Sequence, residues 1–322
     1  MKSQNNQKEI NIGVDTGKLQ LDIYIRPLDI FFSVSNDLKG ISSALKKIKK
    51  YHPTRIIIEA TGRLEFEFIA ACAKASLPFV VANPVHIRKF AGATGQLAKT
   101  DQLDAKIIAH YGDAIKPDLS RLKPSAMRDM SDLLSRRWQL INLQTMEKNR
   151  LHIMPKKLQG SIKALLTVLK KQLEKINKKL IQCIENNEEY QRKNAIIQSL
   201  PGAGQVVAVS LICDMPELGY INHKQAAALI GVAPINRESG QYRGKRKIRG
   251  GRVQIRTVLY MAMLSAIQHN PVFKGLYQRL LKAGKAKKVA IMACVRKMII
   301  ILNSMLRDGV CWNAELALKM GC

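Results

Sequence analysis

Acidic residues are scarce in this chain. There are 24 Asp and Glu against 53 Lys and Arg in 322 residues, a formal net charge of +29. Such a surplus repels itself in a compact fold, so it argues against an enzyme of small neutral molecules and for a polyanion partner, nucleic acid above all. Solubility alone is the plainer account of the charge. Aromatic residues are few as well, at 5%. That argues against reading a single strand by base stacking along its length and favours contact with phosphates. Cysteine pairs are missing. Cys72, Cys183, Cys213, Cys294, Cys311 and Cys322 form no Cys-x-x-Cys and have no His at zinc spacing, which excludes a zinc ribbon or finger and reads as reduced thiols of a cytoplasmic protein. Long apolar runs are missing too. The most apolar late stretch, Val289 to Leu306, is split by Arg296-Lys297 and reads as a buried or partner-facing helix, with no membrane partner. Met1 to Glu9 is polar, unlike a signal peptide, and reads as a mobile tail.

What is present is a set of acids at the ends of apolar elements. Ile10 to Val14 reads as a strand, with Asp15 at its end and Gly17 permitting a turn. Leu21, Ile23 and Ile25 then alternate as in a second strand, and Ile30 to Val34 reads as a third. Arg55 to Glu59 is a short β-branched run of the kind covered on both faces, ending at Glu59. Asp101 and Asp104 open a helical stretch to about Ala114, and a spacing of three puts both on one helix face. Each acid alone reads as a turn or cap residue, with Thr100 or Asp101 as the helix N-cap. Together, two strand-end acids and a helix-face pair can converge on hard divalent cations, as in a two-metal nuclease of ribonuclease H type.

Composition shifts divide the rest. Residues 10–118 alternate strand and helix. Pro117 and Pro124 punctuate a link into a helical segment, 119–193, that Pro155 breaks into two arms. Its second arm carries Ile162, Leu166, Leu169, Leu173, Ile176, Leu180 and Cys183 in four-three alternation. That pattern fits a coiled-coil seam and, equally, an amphipathic helix packed inside its own chain. Residues 194–322 form the last part. There, Pro201-Gly202-Ala203-Gly204 reads either as a hairpin whose amides meet a phosphate or as an ordinary turn between helices. Between Ser239 and Arg256 lie seven basic residues, Arg243, Lys245, Arg246, Lys247, Arg249, Arg252 and Arg256, and no acid. A basic, glycine-rich loop can wrap closely round a phosphate backbone. Ser239 beside it is placed to attack or bind a phosphodiester, although spacing alone reads it as a turn residue.

The order of Asp15, Glu59, Asp101 and Asp104, then a helical segment, then Gly231-Val232-Ala233-Pro234 with Ser239-Gly240 and the basic loop, resembles the DEDD transposases of the insertion sequence one-ten family. The resemblance covers nearly the whole chain. It implies an α/β plus α architecture: an N-terminal RuvC-like domain of ribonuclease H type, a helical coiled-coil segment and a mainly helical C-terminal transposase domain. It implies Mg²⁺, or Mn²⁺ in its place, held by Asp15, Glu59, Asp101 and Asp104. It also implies that Ser239 forms a covalent phosphoserine link to DNA. The partners implied are donor and target double-stranded DNA, an element-encoded structured bridge RNA, and further copies of the chain in a dimer or tetramer. The setting implied is the cytoplasm of a bacterial or archaeal cell, at the nucleoid. Gly202, Gly204 and the seven basic residues are the expected nucleic-acid contacts.

Three other classes fit part of the chain. A Holliday-junction nuclease would need the acids but not Ser239. A sugar kinase of the actin-like fold could use Asp15-Thr16-Gly17, but no second glycine-rich nucleotide motif accompanies it. A non-enzymatic nucleic-acid-binding protein would explain the charge but not acids that repel its ligand. The charge itself makes a prediction. RNA should co-purify with the protein, and nucleic-acid affinity should fall by roughly 10³–10⁵ from about 50 to 200 mM salt if 6–10 phosphates are contacted. Fluorescence anisotropy over that salt range measures it. A flat response would leave the charge to solubility alone.

Overall fold

The structure, a computed structural model, describes residues 9–315 apart from 97, 99, 123 and 241. The expected tail falls almost wholly outside the described residues, as does Cys322. Glu9, placed in that tail, is held: its carboxylate pairs with Arg55 at 3.0 Å and Lys116 at 3.3 Å. The chain divides into two units between residues 123 and 124.

In the first unit, β1 (Asn11–Thr16), β2 (Gln20–Arg26), β3 (Ile30–Ser35), β4 (Arg55–Glu59) and β5 (Phe79–Ala82) form one sheet in the order β3-β2-β1-β4-β5. β2 runs antiparallel to both its neighbours, while β1, β4 and β5 are parallel. Alternation sorts the side chains. Ile12, Val14, Leu21, Ile23, Ile25, Ile56 and Ile58 join a core with Ile41, Ala44 and Ile48 of α1 (Leu38–Lys49) and Phe68, Ile69 and Cys72 of α2 (Phe66–Lys74). The opposite face carries Tyr24 and Ile57. It packs on α3 (Pro84–Ala93) and α4 (Asp101–Ile115) through Ile87, Ala105, Ile108 and Ala109. Both faces are covered, which is why β4 reads as an unbroken apolar run. Caps delimit the helices. Asp37 accepts from Gly40 N at 2.7 Å to open α1, and Thr100, not Asp101, caps α4 by accepting from Leu103 N.

One contact sets the height of α4 over the sheet. A Cβ on Gly13 would lie 2.1 Å from the Ala105 carbonyl oxygen and 2.4 Å from Ala109 N. The helix therefore rests directly on the β1 backbone.

The second unit is helical. α5 (Ser125–Ile153) and α6 (Gln159–Glu185) form a hairpin, broken by Pro155 and a 3-10 turn (Lys156–Leu158). The α6 residues of the expected seam are the buried or half-buried ones, and α5 of the same chain packs against them. Met130, Leu134, Leu180 and Ile184 continue that packing into one core with α7 (Glu188–Gln198), α8 (Gln205–Asp214) and α9 (His223–Leu229). The helical segment and the residues after it thus share a core and form one unit. Four two-residue strands follow, β6 (Pro234–Ile235), β7 (Glu238–Ser239), β8 (Tyr242–Arg243) and β9 (Lys247–Ile248). Then come α10 (Val253–His269), α11 (Pro271–Lys282) and α12 (Lys287–Asp308). Among the described residues α12 alone is long and apolar enough to cross a membrane; half of its apolar window is buried, and it supplies Ala290, Cys294, Val295 and Met298 to the interior. The described cysteines form no disulfide. Burial pushes the Cys72 thiol up to about 12 and Cys294 up to about 11, so both stay protonated and behave as small apolar groups.

The Gly13 contact can be tested. Gly13→Ala should destabilise the protein by about 1–3 kcal/mol or more, because two backbone atoms of α4 must move. Gly112→Ala should cost less, since its nearest neighbour is the end of the Ile57 side chain, at 2.1 Å. Urea unfolding of both variants decides it; a harmless Gly13→Ala would mean that α4 does not rest on β1.

Candidate metal centre and nucleic-acid interface

Strand parity sets which way the strand-end acids of the first unit face. Gly13 faces α4, so Asp15, two residues on, faces the same way. Glu59 stands two residues beyond Ile57, which packs with α3 and α4, and follows Ile58, the partner of Val14. Asp101 and Asp104 occupy the first turn of α4, where the helix dipole favours negative charge. Asp15 is half-buried. Its carboxyl is held above the usual aspartate value, first by burial, then by the charge of Asp104 and, more weakly, by Asp22 and Asp101; a hydrogen bond from the Thr16 backbone opposes the shift.

Asp22 is the acid that sequence reasoning missed. It lies directly opposite Asp15 in the β1–β2 ladder and is only 5% exposed. Gln20 Nε2 donates to its Oδ1 at 2.7 Å, and Ser33 Oγ donates to the same atom. The turn around Gly17 already implies a pairing that places residue 22 across from residue 15, so hairpin register was the available signal. The loops that carry the strand-end acids are fastened together. Asn36 Nδ2 donates to Gly17 O at 2.9 Å and to Leu64 O at 3.1 Å. Glu65 Oε2 accepts from Thr61 N at 3.1 Å and Arg63 N at 3.0 Å. The Thr16 and Thr61 hydroxyls touch. Nothing in the local sequence marked Asn36 or Glu65.

Among the described residues, no three Asp, Glu, His or Cys side chains stand close enough to enclose an ion. The donor set nonetheless suits a hard cation. Mg²⁺ keeps much of its water and is typically bound through one or two carboxylates and a substrate phosphate. Asp15, disfavoured as an anion by burial and by its acidic neighbours, is the group a cation would relieve.

In the second unit the basic loop is an exposed arm. β6 pairs with β9, and β7 with β8, Ser239 lying opposite Tyr242. Ser239 is exposed, next to Gly240 with φ +54°. Arg243, Lys245, Arg246, Lys247 and Arg249 are exposed along the arm. The structure places Arg252 and Arg256 differently. Arg252 forks onto Glu217 at 2.8 and 2.6 Å and donates to Asp214 O at 2.7 Å. Arg256 Nη1 donates to Gly250 O at 2.6 Å and Ile230 O at 3.0 Å. These two clamp the base of the arm and spend their charge inside the chain. Gly202 also has a structural reason: its φ is +104°, and a Cβ there would lie 2.6 Å from the Cβ of Ala266. Gly204 has open space around it at the start of α8. Of four other serines in this last part of the chain, Ser199, Ser210, Ser265 and Ser304, the first two are occupied or enclosed. Ser199 Oγ donates to Ile196 O at 2.6 Å and accepts from Trp312 N at 2.8 Å, and Ser210 is buried. Ser304 is half-buried on α12, and Ser265 is exposed on α10.

Comparison with known proteins brings both halves to one place. A DEDD transposase family model of the IS110 type matches residues 12–157. A second family model, described as transposase IS116/IS110/IS902 family, matches residues 194–278. The pilin gene-inverting protein of Moraxella bovis is 24% identical over 312 residues, covering 92% of this chain and 96% of that protein. Its counterpart from Moraxella lacunata gives the same figures. An uncharacterized 42 kDa protein of insertion element IS900 from Mycobacterium paratuberculosis is 30% identical over 136 residues, 40% of this chain and 33% of that protein.

The like-charge pair across β1 and β2 has a measurable consequence. A carboxyl whose pKa is raised on folding opposes folding when ionised. The penalty is therefore absent below the unfolded-chain value and complete above the folded one. Asp15→Asn should then be more stable than the parent at pH 7, by roughly 0.2–1 kcal/mol, with the difference vanishing as the pH falls below the ordinary aspartate value. Millimolar Mg²⁺ should raise the melting temperature of the parent more than that of the variant. An Asp15→Asn protein less stable than the parent at pH 7 would sink this reading.

Proposed function

The chain belongs to the IS110 family of DEDD transposases, and on that premise we propose that the acid-lined end of the first sheet and the Ser239 arm are the two chemical centres of its DNA strand exchange. The family activity is recombination of mobile DNA. The finer reading is that the first unit is a RuvC-like domain of ribonuclease H type. Its support is the strand order β3-β2-β1-β4-β5, with β2 running against all the others. The observation that carries the chemistry is the electrostatic gathering of Asp104, Asp22 and Asp101 round the half-buried Asp15 in a chain of net charge +29. Acids concentrated there repel a phosphate unless a cation intervenes.

Asp15, Glu59, Asp101 and Asp104 would hold Mg²⁺ or Mn²⁺. Such an ion offsets charge on a scissile phosphate and lowers the pKa of a hydroxyl next to it. Burial, then Asp104 and, more weakly, Asp22, which Gln20 and Ser33 fix in place, disfavour the Asp15 anion. Ser239 Oγ attacks phosphorus. The Oγ–P bond forms as the P–O3′ bond breaks, the hydroxyl proton leaves Oγ, and the departing 3′ oxygen takes up a proton. The phosphoserine ester conserves the bond for rejoining. Arg243, Lys245, Arg246, Lys247 and Arg249 neutralise phosphates along the arm. Donor and target duplexes are the substrates. The charge also suits a structured guide RNA, recognised by backbone and shape while base pairing selects the site. Joining two duplexes needs at least two cleavage centres, so the working form is a homo-oligomer, acting in the cytoplasm at the nucleoid. The α6 seam packs on α5 of the same chain, so the seam by itself does not supply the interface between copies. A junction-cutting nuclease that dispenses with the serine is the reading this one must displace.

The test is a covalent adduct trapped on a denaturing gel with labelled DNA of the native element. Ser239→Ala should reduce adduct by at least about a thousandfold, and Ser265→Ala should not. Asp15→Asn and Ser239→Ala proteins, each inactive, should regain adduct on the Asp15→Asn chain when mixed, provided one protomer completes the site of another. Strand cleavage that persists in Ser239→Ala would leave the junction-cutting nuclease standing in its place.

A further inference from the structure

A groove of about 630 Å³ opens in the second unit, between α5, the turn before α8, and α10. Its walls are mostly apolar, with Ile141, Val206 and Met261 among them, and no Asp or Glu lines it. Two residues of α5 stand out. Trp138, one of two tryptophans in the chain, lines the groove with part of its ring buried. Arg137 lines it too and reaches a smaller adjoining cleft. Asn177 fixes that guanidinium by accepting from its Nε at 2.9 Å. Among the described residues no carboxylate pairs with it. Half-burial holds its pKa below the usual arginine value. Most of the other arginines embedded in this protein have a partner: Arg252 has Glu217, Arg55 has Glu9, and Arg256 has three carbonyls. A half-buried cation without a counter-charge is costly, and the fixed Nε leaves the Nη pair as a fork for an anion.

An apolar slot, an indole on its wall and a forked cation at its side are the parts that an extruded nucleotide requires. The base takes the slot and stacks on the indole, and the phosphate meets the guanidinium. A duplex cannot offer this, because its bases are stacked on one another. Aromatics are few in this chain, so the arrangement suits one unpaired nucleotide rather than a strand read along its length. Strand exchange between duplexes leaves such nucleotides at the cut ends. We infer that the Arg137–Trp138 groove binds an unpaired DNA nucleotide displaced during recombination. The inference rests on the transposase reading only for its DNA partner.

The two tryptophans make it testable. Trp312 stacks on Phe273, with ring centroids 6.3 Å apart, so Trp312→Phe keeps a ring there and leaves Trp138 as the sole indole. Full-length Trp312→Phe protein is titrated with the oligonucleotide (dT)12 in EDTA, where no strand is cut. Emission from Trp138 should quench saturably, and Arg137→Met should weaken binding by about tenfold or more. Met261→Glu, at a position 59% exposed on the groove, brings in a repelling charge without touching the core and should weaken binding likewise. It serves if Arg137→Met fails to fold. No quenching, or equal affinity in the variants, overturns the inference. Quenching by (rU)12 alone would give the groove to RNA, and equal quenching by a duplex would deny it selectivity for unpaired bases; both also overturn it. Any of these failures leaves the Ser239 adduct test unaffected, since cleavage is not read.

Discussion

In the first unit α4 meets β1 at Gly13, where helix backbone lies on strand backbone with no side chain between them. The candidate centre depends on it. Asp101 and Asp104 sit in the first turn of α4, and Asp15 is two residues beyond Gly13. A larger residue at position 13 would lift the helix and separate the two sets of carboxylates. The anchor at the other end of the helix agrees with this geometry. Asp113 accepts from Arg26 Nε at 2.8 Å and from Asn11 Nδ2 at 3.4 Å, tying the end of α4 to the start of β1. The helix is held to the strand at two points, Asn11 and Gly13, which fixes its register along the sheet as well as its height.

Charge is then distributed against its average. In a chain with 53 basic residues, the sheet end gathers acids while the arm from Pro234 to Arg249 gathers cations. Each concentrates charge of one sign. Burial and then the neighbouring acids raise the pKa of Asp15, and the arm concentrates positive charge on short, exposed strands. A divalent cation at the first and a phosphate backbone at the second would relieve both. This is the physical content of the transposase assignment at these two places.

Legibility differed by the range of the interaction. Strand-end acids, the Pro155 break and the amphipathic face of α6 are local patterns, and the elements lie where those patterns put them. Asp22 was half legible: alternation marked its neighbours Leu21 and Ile23 as inward, but its pairing with Asp15 needed the register of the hairpin. Asn36 and Glu65 were not legible, since an Asn or Glu in a loop acquires a role only when two distant loops meet. Arg252 and Arg256 show the opposite effect. Seven cations in one run look alike, and only the fold reveals that two of them hold Glu217 and the carbonyls at the base of the arm.

By itself the sequence determined most element types, the surplus of positive charge and which acids stand at the ends of apolar elements, because periodicity, net charge and residue chemistry act locally or in sum. Tertiary structure alone decided which acid faces which, that α5 covers the α6 seam, which arginines remain available to a ligand, and that Arg137 was left without a counter-charge beside Trp138. Each of those depends on contacts between residues far apart in the chain, where side-chain spacing carries no information until the backbone has closed the distance.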